Sequence, residues 1–147
     1  MKIEKRYADL KPREKRNTND INYIVIQAFN DNDTSHYHIS DGKVIQILPD
    51  VCISNSVNGG RVSRLGVYHG ICNKYNSVSI GISNHPEEDD IELCKHLIMT
   101  LIYRLKIKKD NVIRQVDITG EISPEVWYDK DKWELDVIDK IKDMLKD

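Results

Sequence analysis

Apolar and polar positions are grouped along the chain in patterns that assign most of its elements. Tyr23-Ile24-Val25-Ile26-Gln27-Ala28-Phe29 is a short, nearly all-apolar run rich in β-branched side chains. Such a run predicts a central strand buried on both faces. Asn30–Thr34 is a turn cluster. Ser35–Ser40 and Lys43–Leu48 are strand-like runs separated by Asp41-Gly42. Asp-Gly supplies the positive φ angles of a type I′ turn, so the segment predicts a β-hairpin.

Pro49–Lys74 reads as a long connection, rich in Ser and Asn and carrying Gly59, Gly60 and Gly66. A connection this long in a small domain is usually functional or mobile. Ser77–Ser83 predicts another strand. Glu87–Asp90 then opens a helix, its acids complementing the positive end of the helix dipole and forming a solvated face. Ile91, Cys94, Leu97, Ile98, Leu101, Ile102 and Leu105 follow at three-and-four spacing and make one apolar face. Lys106–Lys109 suit the helix C-terminus. Asn111–Arg114 predicts a short strand. Trp133–Leu145 predicts a last amphipathic helix, with Val137, Ile138, Ile141 and Leu145 inward. The order β-ββ-β-α-β-α specifies an α/β fold, a mixed central sheet flanked by helices.

Composition narrows the class. A chain of 147 residues fits a single domain spanning 1–147. Residues 1–17 are polar and charged and read as a loosely docked N-terminal arm. Hydrophobic residues make up 39% and charged residues 31%, which disfavours disorder. Twenty-two basic against 24 acidic residues leave a net charge of −2, which argues against a nucleic-acid partner. No apolar run is long enough for a membrane span. No apolar stretch backs the charged N-terminus, so no secretory signal is read there. That suits either a cytoplasmic protein or one released through a membrane lesion. Cys52, Cys72 and Cys94 form no regular disulfide framework, and neither CxxC nor HExxH occurs.

Several motifs then share one resemblance. Arg114-Gln115-Val116-Asp117-Ile118-Thr119-Gly120-Glu121-Ile122-Ser123-Pro124, followed by Trp127 and Trp133, resembles the segment R-H-x-D-x-T-G-K-x-C-P of the type 2 N-acetylmuramoyl-L-alanine amidases. These zinc enzymes include phage endolysins and peptidoglycan recognition proteins. Upstream, Ile24-Val25-Ile26-Gln27, Ser35-His36-Tyr37, Val44-Ile45-Gln46-Ile47-Leu48-Pro49, Cys72-Asn73 and Ser79-Ile80-Gly81-Ile82-Ser83 fall in the family's order. The resemblance runs from about residue 17 to 135. It implies the amidase type 2 fold. Only Ala28–Thr34 separate the first predicted strand from the hairpin, so the helix the family often carries there is expected to be missing.

The resemblance also implies a zinc site, and the residues standing here change it. The family's three ligands are a His ending the first strand, the His of R-H-x-D, and the Cys eight residues later. Here those positions hold Gln27, Gln115 and Ser123. Carboxamides and a hydroxyl are weak, neutral donors to zinc. The Lys that would steady developing negative charge is Glu121. The positions of the general-base Tyr or Glu are Ser35 and Ser83, and the Trp-His pair of the long loop aligns with Asn55-Ser56. Asp117 and Thr119 remain, either beside the reaction centre or as builders of the turn that carries Ser123.

The sequence therefore predicts a catalytically inactive amidase-like domain without a cofactor, zinc included. Its partner is expected to be a peptidoglycan fragment or a protein. Gln27, Ser35, Asn55, Ser56, Ser83, Gln115, Asp117, Glu121 and Ser123 are the degenerate site positions. One alternative is an active amidase with a site rebuilt from His36, His38, His69, Cys72 or Asp117. Another is an interaction protein whose groove is vestigial. Trp127 and Trp133 are expected to pack rather than stack on a sugar.

Overall fold

The computed structural model describes residues 1–8, 14–28, 35–58 and 66–145. Six strands form one sheet in the order β1-β4-β3-β5-β2-β6. They are β1 (Ile3–Lys5), β2 (Tyr23–Ala28), β3 (Tyr37–Ser40), β4 (Lys43–Gln46), β5 (Ser77–Ile82) and β6 (Val112–Arg114). β3 and β4 pair antiparallel, and every other neighbouring pair is parallel. The hairpin forms as its Asp-Gly turn requires, with φ of 52° at Asp41 and 70° at Gly42. The turn cluster Asn30–Thr34, and with it the expected loss of a helix before the hairpin, lies outside the described residues.

One face of the sheet carries the main core. Ile24, Ile26, Ile39, Val78, Ile80, Ile82 and Val112 pack there with Leu97, Ile98 and Leu101 of α1 (Glu88–Leu105) and with Trp127, Trp133, Val137 and Ile141. A one-turn helix, α2 (Val116–Thr119), follows β6. The C-terminal helix begins before Trp133: α3 (Lys130–Trp133), a π-helical turn (Glu134–Ile138) and α4 (Asp139–Leu145) run end to end. Asp129 caps this start, its carboxylate accepting from Asp131 N–H at 2.9 Å. Trp127 is fully buried, and its ring centroid lies 5.6 Å from that of Trp133.

The other face is covered by irregular chain. Val25 and Ile113 meet Val57, Cys72 and Ile118 there. Val57, Tyr68 and Cys72 of the long connection pack on this face. Gly66 donates its N–H to Ile118 O, and Tyr68 to Asp117 O, tying the connection to α2.

Two expectations are corrected. The start of the N-terminal arm is part of the sheet: β1 pairs in parallel with β4, Ile3 opposite Val44. Further along, Arg16 donates to Asp50 O at 3.0 Å and to Lys74 O at 2.9 Å. Three residues are too few to show alternation, and an edge strand can be short and charged. Nor is Asp90 part of a solvated acidic face. It is buried, and its carboxylate accepts from Gly42 N–H at 2.9 Å, so the helix start clasps the hairpin turn.

Candidate functional site

The candidate site grows from the register of three strands. Gln27 on β2 and His38 on β3 both lie opposite Gly81 on β5. Laterally paired residues of a sheet point to the same side. Val25, two residues before Gln27, belongs to the loop-covered face, so this row lies on that face, near the carboxyl ends of the parallel strands.

Gly81 makes room in the row. A Cβ there would stand 3.1 Å from Ser35 Oγ and 3.4 Å from His38 Cδ2. Ser35 uses that room to accept a hydrogen bond from Gln27 Nε2 at 2.6 Å.

Gln115 and Ser123 reach the same place from the other side of β2. Gln115 N–H donates to Ile26 O, and its Nε2 donates to Val57 O at 2.9 Å. Val116 N–H donates to Ser123 O, closing the loop between them. Ser123 Oγ then accepts from Ala28 N–H at 2.8 Å, directly after Gln27. The positions implied by the resemblance to be ligands thus gather around the end of β2. No hydrogen bond joins the three side chains to one another.

The loop that carries Ser123 is held by residues retained from the motif. Asp117 accepts from Arg114 N–H at 2.9 Å and from its guanidinium at 2.8 Å. Arg114 also donates to the carbonyls of Trp127 and Tyr128, each at 2.9 Å. Thr119 Oγ1 donates to Gln115 O and accepts from Glu121 N–H. Gly120 ends α2 with φ of 76°, in the left-handed region that glycine adopts without strain. Asp117 and Thr119 are therefore turn builders.

The remaining positions lie elsewhere. Asn55 is exposed and accepts from Lys74 Nζ at 3.2 Å. Ser83 Oγ accepts from His85 N–H at the exit of β5. Ser56 is buried one level lower, bonded to Ser54 Oγ at 2.7 Å and Ser79 Oγ at 3.3 Å.

That lower level is a polar network beyond the predicted positions. His36 Nδ1 accepts from Ser79 N–H at 3.1 Å, which leaves Nε2 to donate to Cys52 O at 2.7 Å. Arg16 lies beside it, and burial pulls its guanidinium down to about 10 against the opposing attraction of Asp50. The signal was present: Ser77, Ser79, Gly81 and Ser83 alternate with Val78, Ile80 and Ile82, marking one apolar and one small, polar face of β5.

The donor chemistry around β2 can be tested against zinc. Zinc takes imidazole nitrogen, thiolate or carboxylate. Gln27 and Gln115 present neutral carboxamides, and Ser123 Oγ already serves a backbone amide. This set does not fit the metal. His36 is engaged with Ser79 and Cys52, His69 is exposed, and Asp117 is held by Arg114. Among the described residues no three His, Cys, Asp or Glu side chains gather to hold a metal ion.

Three acceptors around the site are buried and have no hydrogen-bond partner among the described residues: Gln27 Oε1, Gln115 Oε1 and Glu121 Oε1. Each such carboxamide oxygen carries a desolvation cost of about 1–3 kcal/mol, and a carboxylate oxygen more.

The sheet with its helix-backed core is similar to solved endolysin domains: the chain has the type 2 N-acetylmuramoyl-L-alanine amidase fold. The catalytic domain of PlyG matches with a TM-score of 0.76 at 16% identity, over 97% of this chain and 94% of that one. The catalytic domain of XlyA matches at 0.71 and 15%, over 96% and 99%. The N-acetylmuramoyl-L-alanine amidase LysC from Clostridium intestinale matches at 0.60 and 16%, over 84% and 89%. No family model matches the sequence, and no curated protein does.

Proposed function

We propose that this chain is a catalytically inactive amidase-like domain that binds peptidoglycan fragments near the strand ends. The observation that carries the reading is the fate of the three ligand positions. Each holds a weak or neutral donor, and each is committed to a structural bond: Gln27 to Ser35, Gln115 to Val57 O and Ser123 to Ala28 N–H. A water made nucleophilic on zinc needs three firm protein ligands and one open position. Glu121 places negative charge where the resemblance implies a lysine, opposing an oxyanion. The fold-building residues Gly81, Asp117, Thr119 and Gly120 are retained, so a binding surface survives loss of the reaction.

The test has two parts. Purified protein is assayed for zinc and for release of free stem peptide from purified cell walls; both are expected to be absent. Muropeptides are then titrated while backbone amide shifts are followed, with changes expected at residues 27, 81 and 115–123. Stoichiometric zinc or peptide release would establish an enzyme instead. Silence at millimolar muropeptide, with a co-purifying protein, would establish a protein partner.

A further inference from the structure

Resting on that reading, we infer that the polar cluster at the end of β2 recognises a hydrogen-bond donor, specifically the free ammonium of a peptide. Gln27 Oε1, Gln115 Oε1 and Glu121 Oε1 can only accept. Gln115 has its Nε2 on Val57 O, a group that can only accept, so its amide cannot be turned and Oε1 must face away. Gln27 likewise gives Nε2 to Ser35 and keeps Oε1 unpaired. The hydroxyl of Ser35 could serve either end of Gln27, so Gln115 carries the larger share of the argument. Glu121 adds a buried carboxylate oxygen on the loop that returns to Ser123. Gln27 and Gln115 are 5% and 4% exposed. An entering group must therefore displace covering atoms and supply the hydrogen bonds they do not.

Polarity selects the ligand. A zinc ion with a nearby lysine attracts a carbonyl oxygen. Two carboxamide oxygens and a carboxylate repel one and attract N–H. An ammonium donates three hydrogen bonds and neutralises Glu121, whereas an amide offers one N–H and no charge. In wall chemistry, cleavage between lactyl and L-Ala frees the α-ammonium of L-Ala. The cluster thus favours the released stem peptide over the intact amide.

Calorimetry with four probes tests this: L-Ala-γ-D-Glu-L-Lys, its N-acetyl form on the alanine, the intact N-acetylmuramoyl tripeptide, and L-Ala-L-Ala. The free tripeptide is expected to bind at least tenfold more tightly than its acetylated form. Glu121→Lys, at a half-buried position that leaves the strands untouched, is expected to abolish that preference while thermal melting shows a folded protein. Equal or tighter binding of the acetylated or muramoyl forms overturns the inference and leaves the wall-binding reading standing. Binding of L-Ala-L-Ala as tight as the tripeptide supports the ammonium site and removes the wall assignment. No binding by any probe at millimolar concentration, or an unchanged preference in Glu121→Lys, overturns it.

Discussion

Building a metal site at the end of β2 is the sharpest challenge to the proposed function. In the triple variant Gln27→His, Gln115→His, Ser123→Cys, two imidazoles and a thiolate would stand around the end of β2 with one open position. The cost in the metal-free state follows from the bonds removed: Gln27 to Ser35, Gln115 to Val57 O and Ser123 to Ala28 N–H. At about 1 kcal/mol per bond, with Val57 O left buried and unpaired, the loss is roughly 3–5 kcal/mol. For a domain of this size that lowers the melting temperature by about 10 °C. Zinc at a thousandfold excess over its dissociation constant returns about 4 kcal/mol. The variant should therefore melt early in chelator and recover most of the difference with zinc, while the natural chain responds to neither. Thermal melts with and without zinc, paired with metal content, read this directly. A variant that is folded by circular dichroism yet takes up no zinc would show that the three positions are not the ligand positions.

Two further outcomes test the supporting structure. Arg114→Ala should destabilise the domain by about 3–5 kcal/mol, because it strips Asp117 of its guanidinium partner and leaves the carbonyls of Trp127 and Tyr128 unpaired; Arg114→Lys should rescue little in urea melts, lacking the forked donor. Burial pushes the Cys72 and Cys94 thiols up to about 12 from 9.0, against weaker opposition from Ser77 and Lys95 respectively. Both should resist iodoacetamide at pH 8 until denaturant is added, and the stability they contribute by staying protonated is complete below pH 9 and lost as the pH rises towards 12.

Much of the fold was legible because local chemistry and tertiary packing agree. Asp41-Gly42 forms its turn wherever two strands flank it. The apolar face from Ile91 to Leu105 has a period that only a helix can present to a sheet. β1 was not legible, since three residues carry no period and their partner lies some forty positions away. Asp90 misled for a related reason. An acid in the first turn of a helix is normally solvated, and only the proximity of the hairpin turn gives it Gly42 N–H to serve.

For the site, the residue types could be read directly, and their chemistry follows from the letters: Gln27, Gln115, Ser123 and Glu121 stand where the resemblance implies His, His, Cys and Lys. Their mutual position could not. Gln27 and Ser123 are far apart in the chain and meet because β6 pairs with β2 and the Arg114–Asp117 clasp folds the following loop back. The parting of Asn55, Ser56 and Ser83 from the cluster is likewise a matter of packing. Sequence alone determined which donors this chain offers, because donor strength resides in the side chain. The tertiary structure decided which of those donors are already spent on Ser35, Val57 and Ala28, and which acceptors stay buried without a partner, because hydrogen-bond satisfaction depends on neighbours that only folding brings together.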